Sequence, residues 1–203
     1  MARRLEFFFF IGSTYSYLSV SRAAGLAQAG GVDLAWRPFS VRTLMREQNN
    51  SPFVGKPAKM RYMWRDLERR ATRFGIAFDG PPPYPIDPGE LANRVATLAA
   101  LEGWCPQFTQ AAYRAWFIGK QDPGQPEAVR SILGALGQDA DRCLAGANAA
   151  AVHEAYAAQT DRARELGIFG SPTFVHGTEI FWGDDRLEDA LAWVDEHDGT
   201  RDR

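Results

Sequence analysis

Residues 5–14 read Leu5-Glu6-Phe7-Phe8-Phe9-Phe10-Ile11-Gly12-Ser13-Thr14. Apart from Glu6 the run up to Ile11 is apolar, and a small-residue turn then cuts it off. A short, nearly continuous apolar run over 5–11 predicts a central strand buried on both faces. A helical stretch follows from about Thr14 to Ala29, with Ser13 or Thr14 as its natural N-cap and Gly30-Gly31 as its stop. Val32-Asp33-Leu34-Ala35-Trp36-Arg37 then alternates apolar and polar residues, which suits a second strand. Strand, helix and strand in so short a span make a βαβ unit with parallel strands.

Working outward, the middle of the chain reads as consecutive helices over 57–74, 88–103, 106–120, 126–136 and 139–166, with proline near the starts and glycine near several ends. The linker Asp79-Gly80-Pro81-Pro82-Pro83-Tyr84-Pro85 is extended. The β pattern returns at Thr173-Phe174-Val175-His176 and Glu179-Ile180-Phe181-Trp182, a hairpin about Gly177, and a last helix runs from Arg186 to about Glu196. The order βαβ, helices, ββα defines an α/β chain. Its expected form is a thioredoxin-like sheet from residues 1–40 and 160–203, with a large all-helical domain, 41–159, inserted between the halves.

The 203 residues, 45% of them hydrophobic, suffice for a full-sized core. A net charge of −2 supplies no positive field for nucleic acid or an anionic membrane, so neither is an expected partner. The basic cluster from Lys56 to Arg73 also carries Asp66 and Glu68 and reads as a solvated helix face. Glu6 interrupts the apolar run behind Met1-Ala2-Arg3-Arg4, against a signal peptide, and no apolar run approaches the roughly 20 residues that cross a bilayer. Cys105 and Cys143 lie far apart, forming neither a CxxC pair nor a metal cluster, so the expected location is cytoplasmic.

Four features carry chemistry. Ser13 sits where the first strand meets the first helix, as an N-cap or as a group beside an anion-binding helix end. Ser171-Pro172 precedes the hairpin, either as an ordinary strand opening or as a cis-proline loop facing Ser13 and offering its backbone to a peptide ligand. Trp182-Gly183-Asp184-Asp185 turns the last strand into the last helix, with the aspartates capping the helix, holding an amino group, or both. Gln48-Asn49-Asn50-Ser51-Pro52 and Lys59 lie at the entrance to the helical segment, where asparagines beside proline form turns.

Together these blocks, with Gly167-Ile168-Phe169-Gly170-Ser171-Pro172-Thr173 and Phe181 to Leu187 the most specific, resemble the glutathione-dependent 2-hydroxychromene-2-carboxylate isomerases. The chain is more distantly similar to kappa-class glutathione transferases and DsbA-like disulfide oxidoreductases. Ser13 and Ser16 stand where the oxidoreductases keep their two cysteines, so dithiol chemistry is excluded there. The resemblance implies glutathione as cofactor, with Ser13 as the catalytic residue bonded to its sulfur. It also implies that Ser171, Pro172, Trp182, Gly183, Asp184 and Asp185 hold glutathione. Asn49, Asn50, Lys59 and Tyr84 would border a small aromatic substrate, no metal takes part, and the protein forms a homodimer. Phe10 and Thr14 replace the aspartate and proline usual in the isomerases. A kappa-type transferase and a non-enzymatic glutathione or peptide binder are the alternatives.

Overall fold

In a computed structural model describing residues 3–198, the phenylalanine run becomes an interior strand. Residues 1–2 and 199–203, which the expected domain bounds include, lie outside the described residues. Strand β1 (Arg4–Phe9) is flanked by the parallel β2 (Asp33–Pro38) and the antiparallel β3 (Thr173–His176). The hairpin partner β4 (Glu179–Trp182) completes the four-stranded order β2-β1-β3-β4 at one edge. Side chains alternate across a strand, so Leu5, Phe7 and Phe9 enter one core while Phe8 enters another. The first is covered by α1 (Ser16–Ala29) and α9 (Leu187–Asp198), through residues such as Leu18, Ala23, Leu187 and Val194. The second is covered by α2 (Val41–Glu47) and the end of α8 (Ala150–Glu165). Both faces being dry explains the unbroken aromatic run, since each buried phenylalanine contributes about 1.5–3 kcal/mol. The one charge inside the apolar run, Glu6, is matched by Arg37 at 2.7 Å and by Arg162.

Between β2 and β3 the chain is helical: α2, α3 (Pro57–Phe74), α4 (Leu91–Glu102), α5 (Cys105–Phe117), α6 (Pro126–Ala135), α7 (Ala140–Ala147) and α8. The helix expected over 139–166 is in fact two, parted at Asn148-Ala149. The Asn148 amide turns back onto the Leu144 carbonyl at 2.9 Å, offering the backbone a competitor to the helical ladder. Helix α2, which periodicity does not reveal, is only seven residues long and starts from Ser40, whose hydroxyl accepts from the Thr43 N–H at 3.2 Å. Helix α4 starts at Leu91 rather than 88, because the Asp87 carboxylate accepts from the N–H groups of Leu91 and Ala92 at 2.7 and 3.0 Å.

Strand β1 ends at Phe9, two residues short of the expected Ile11, yet Phe10 and Ile11 remain buried. Their main-chain groups are satisfied by side chains instead. The fully buried Asn93 of α4 accepts from Ile11 N–H at 2.8 Å and donates to Ile11 C=O at 2.9 Å, so one amide acts as a neighbouring strand. The Tyr113 hydroxyl of α5 lies 2.8 Å from the Phe10 carbonyl and 3.0 Å from that of Ser13, and the Ser171 hydroxyl accepts from Phe10 N–H at 3.0 Å. The helical segment thereby fixes the loop that presents Ser13. Asn93→Leu keeps the branched shape and strands both Ile11 groups. We expect a loss of about 2–4 kcal/mol, read as a lower urea midpoint with an unchanged slope.

Candidate active site

Gly12 turns the chain out of β1 at φ +136°, where a Cβ would stand 2.5 Å from the Phe10 ring. Ser13 follows, but neither it nor Thr14 caps α1 as its sequence position suggests. The cap position falls on Tyr15, with no side-chain bond. The Ser13 hydroxyl instead crosses to the far end of the chain and donates to the Ser171 carbonyl at 2.6 Å. The Thr14 hydroxyl points to Met63 Sδ at 3.1 Å. Ser16, fully buried, shares a hydrogen bond of 2.9 Å with the Ser171 hydroxyl. The Ser171–Pro172 bond is cis, as is Tyr84–Pro85. Residue 13 and the 171–172 loop thus form one constellation, built from the hydroxyls of Ser13, Ser16 and Ser171 and the Ser171 carbonyl.

Two cavities adjoin this point. The larger, about 360 Å³, is lined among others by Ser13, Asn50, Lys59, Tyr84, Ser171 and Trp182. The second, about 310 Å³, is lined by Tyr62, Asp66, Arg70, Pro172, Gly183, Asp184 and Asp185, and it shares Tyr15, Ser171 and Trp182 with the first. Both fall within the size range of small-molecule sites. Trp182 forms a rim between them, 53% exposed and edge-on to Phe169 at 4.8 Å. Gly170 permits that position, because a Cβ there would lie 2.1 Å from Trp182 Nε1. Of the residues expected at the site, Asn49 alone lines neither cavity. It takes φ +52°, donates to the Arg46 carbonyl at 3.1 Å and closes the turn after α2.

Charge is unevenly distributed. In the second cavity the Asp184 carboxylate accepts from Arg70 Nε and Nη2 at 2.8 and 2.7 Å, so it is spent on α3 rather than on capping the last helix. Burial pushes Asp184 up to about 6, with Arg70 pulling the other way. Asp185 is exposed and pairs with Arg186 at 3.1 Å. Three carboxylates, Asp66, Asp184 and Asp185, and the Arg70 guanidinium line this cavity, a set that suits a zwitterionic amino-acid end. Tyr15 donates to Asp66 at 3.0 Å, and its phenol is held protonated, chiefly by burial and then by Asp66. The cysteines play no part here. Both are buried, and burial pushes the Cys105 thiol up to about 12. Among the described residues no group of ligating side chains could hold a metal ion, and no helix is long and apolar enough to cross a membrane.

Sequence reasoning missed Arg70, Tyr15 and Asn93. A signal for Arg70 existed: Met63, Leu67 and Ala71 are buried, and Arg70 lies on that same inward stripe of α3. The surrounding arginines, Arg65 and Arg69, are exposed as expected of a solvated face.

A family model for the DSBA-like thioredoxin domain matches residues 4–192. The chain belongs to the DSBA-like thioredoxin family. Among relatives, a 2-hydroxychromene-2-carboxylate isomerase of Sphingobium xenophagum is 28% identical over 191 residues, 93% of this chain and 96% of its own. Glutathione S-transferase kappa 1 of Homo sapiens is 25% identical over 203 residues, 93% of this chain and 89% of its own. A solved 2-hydroxychromene-2-carboxylate isomerase superposes with a TM-score of 0.84 at 24% identity, covering 98% of this chain and 100% of that one. The thioredoxin-like fold with helices between its halves is therefore as the element order predicted.

Within this DSBA-like fold Asp184 sets a pH signature. Its pKa is near 3.8 unfolded and about 6 folded. Between those values the folded chain holds a proton that the unfolded chain has released, so stability falls as pH rises through the window. Melting temperatures from about pH 4 to 6 should fall less steeply for Asp184→Asn than for the wild type.

Proposed function

We propose that the protein is a glutathione-dependent isomerase of aromatic 2-oxo or chromene carboxylates, with the cofactor's thiolate held at Ser13. The observation that carries this reading is the Ser13–Ser171 contact at the junction of the two cavities. A tripeptide laid along the 171–172 loop would put its γ-glutamyl end beside Arg70, Asp184 and Asp185 and its sulfur at Ser13. Its cysteinyl N–H would take over the Ser171 carbonyl, which releases the Ser13 hydroxyl to donate to sulfur. No acceptor is lost in the exchange.

The magnitudes are adequate. A free thiol has a pKa near 8.5, and lowering it by two units requires about 2.7 kcal/mol. The N-terminus of α1 contributes about 0.3–1 kcal/mol, rising to about 2 when partly buried. A hydroxyl donating to a charged sulfur adds about 1.5–3 kcal/mol. Thiolate would then add to a conjugated carbon of the substrate, and the former double bond becomes a single bond about which the adduct rotates. Elimination re-forms the double bond, breaks the C–S bond and returns glutathione, with no net redox change.

The similarity to a kappa transferase over 93% of this chain supports a second reading, in which the same thiolate attacks an electrophile and leaves as a conjugate. Incubation with 2-hydroxychromene-2-carboxylate, followed by ultraviolet absorbance and mass spectrometry, separates the two. Isomerisation needs glutathione yet leaves its concentration unchanged, whereas conjugation consumes it. Absence of glutathione-dependent turnover removes the isomerase reading. Ser13→Ala should lower kcat by about tenfold to a hundredfold with the fold intact. Glutathione affinity, measured by calorimetry, should weaken as pH falls below about 6, where the Asp184 carboxylate gains its proton.

A further inference from the structure

The larger cavity holds two cations, Arg42 and Lys59, and no carboxylate among its lining residues. Most of its remaining wall is apolar, including Phe10, Val41, Met45 and Phe53. The two cations differ in kind. Lys59 is exposed at the mouth, and its ammonium lies 5.6 Å from the Phe53 ring. Arg42 is half-buried, and its guanidinium is fixed by donating to the main-chain oxygens of Ile86 and Asp87, both at 2.5 Å. Those bonds orient the fork without neutralising it. Its face lies over the Phe10 ring, 4.8 Å from the centroid. Among the described residues Arg42 has no ion pair; the Asp87 carboxylate feels its charge but is hydrogen-bonded to Leu91, Ala92 and Asn93. A fixed, unpaired guanidinium with donors to spare, set in an apolar wall, is a receptor for a planar anion.

We propose that Arg42 selects the substrate of this site by binding the carboxylate of an aromatic acid. The inference rests on the reading of the cavity as the aromatic subsite beside Ser13. Anchoring the acid group fixes which carbon of the conjugated system meets the sulfur. It also offsets the repulsion between an incoming carboxylate and a thiolate in the same cavity, where low dielectric strengthens both effects.

The test measures equilibrium binding of 2-naphthoate and 2-naphthamide to the wild type and to Arg42→Met, Arg42→Gln, Arg42→Lys and Lys59→Met, each with its fold checked by circular dichroism. We expect the wild type to prefer the acid by about tenfold to a hundredfold. That preference should disappear in R42M and R42Q, survive in part in R42K, and leave the amide's affinity unmoved. A wild type without preference, or a preference retained in R42Q, overturns the proposal. Should every Arg42 variant fail to fold, the outcome turns on K59M: a surviving preference leaves Arg42 as the anchor, and its loss overturns it. Binding is independent of turnover, so failure of the isomerase assay and failure of this proposal are read separately. Where turnover is present, R42Q should raise KM for the acid far more than it lowers kcat.

Discussion

Two main-chain groups at Ile11 have left the sheet but not the core, and unpaired buried peptide groups are among the costlier defects a fold can carry. The Asn93 side chain answers both at once, and Tyr113 holds the carbonyls on either side of the turn. Asn93 is itself placed by α4, whose opening turn is capped by Asp87, and Asp87 also accepts from the Asn93 amide at 3.3 Å. A chain of polar contacts therefore runs from the start of α4 to the loop carrying Ser13. Burial holds Asp87 at about 6 and Tyr113 far above its ordinary value, which marks a dry network whose members are fixed in place. The helical segment is thus more than a wall for a cavity. It sets the geometry of the strand-to-helix turn.

The same turn divides two chemically distinct spaces. On one side lie carboxylates interleaved with Arg70; on the other, a mostly apolar wall with cations and no acid. A ligand spanning both would meet an environment suited to a zwitterion at one end and to an aromatic anion at the other. Ser171 stands at the junction, with its carbonyl facing Ser13, its hydroxyl facing Ser16 and Phe10, and its peptide bond to Pro172 cis. No cysteine lines either space and both cysteines are buried elsewhere, so a thiol acting here would come from outside the chain.

Much of this was legible beforehand, for identifiable reasons. The aromatic strand, the βαβ opening and the terminal hairpin follow from periodicity and turn residues, which act locally. The meeting of Ser13 with Ser171-Pro172 follows from fold order rather than local pattern. What escaped was set by tertiary contact. Asn93 reads as an ordinary helical residue until its partner loop is in place, and Arg70 hides in a run of solvent-facing arginines. The hydroxyls of Ser13 and Thr14 look like caps, yet both find partners distant in the chain, so the local rule yields to a long-range bond. The break between α7 and α8 rests on one amide turning back on its own helix.

The Ser13–Ser171 contact joins residues 158 positions apart, and β1 completes its ladder only when β3 arrives beside it. During synthesis on the ribosome, the phenylalanine-rich segment therefore emerges with one sheet neighbour still untranslated. A chain released before the hairpin would carry an open, strongly apolar strand edge and no site at all. For this topology, complete translation and protection of that edge from other nascent chains are conditions of activity as much as any side chain.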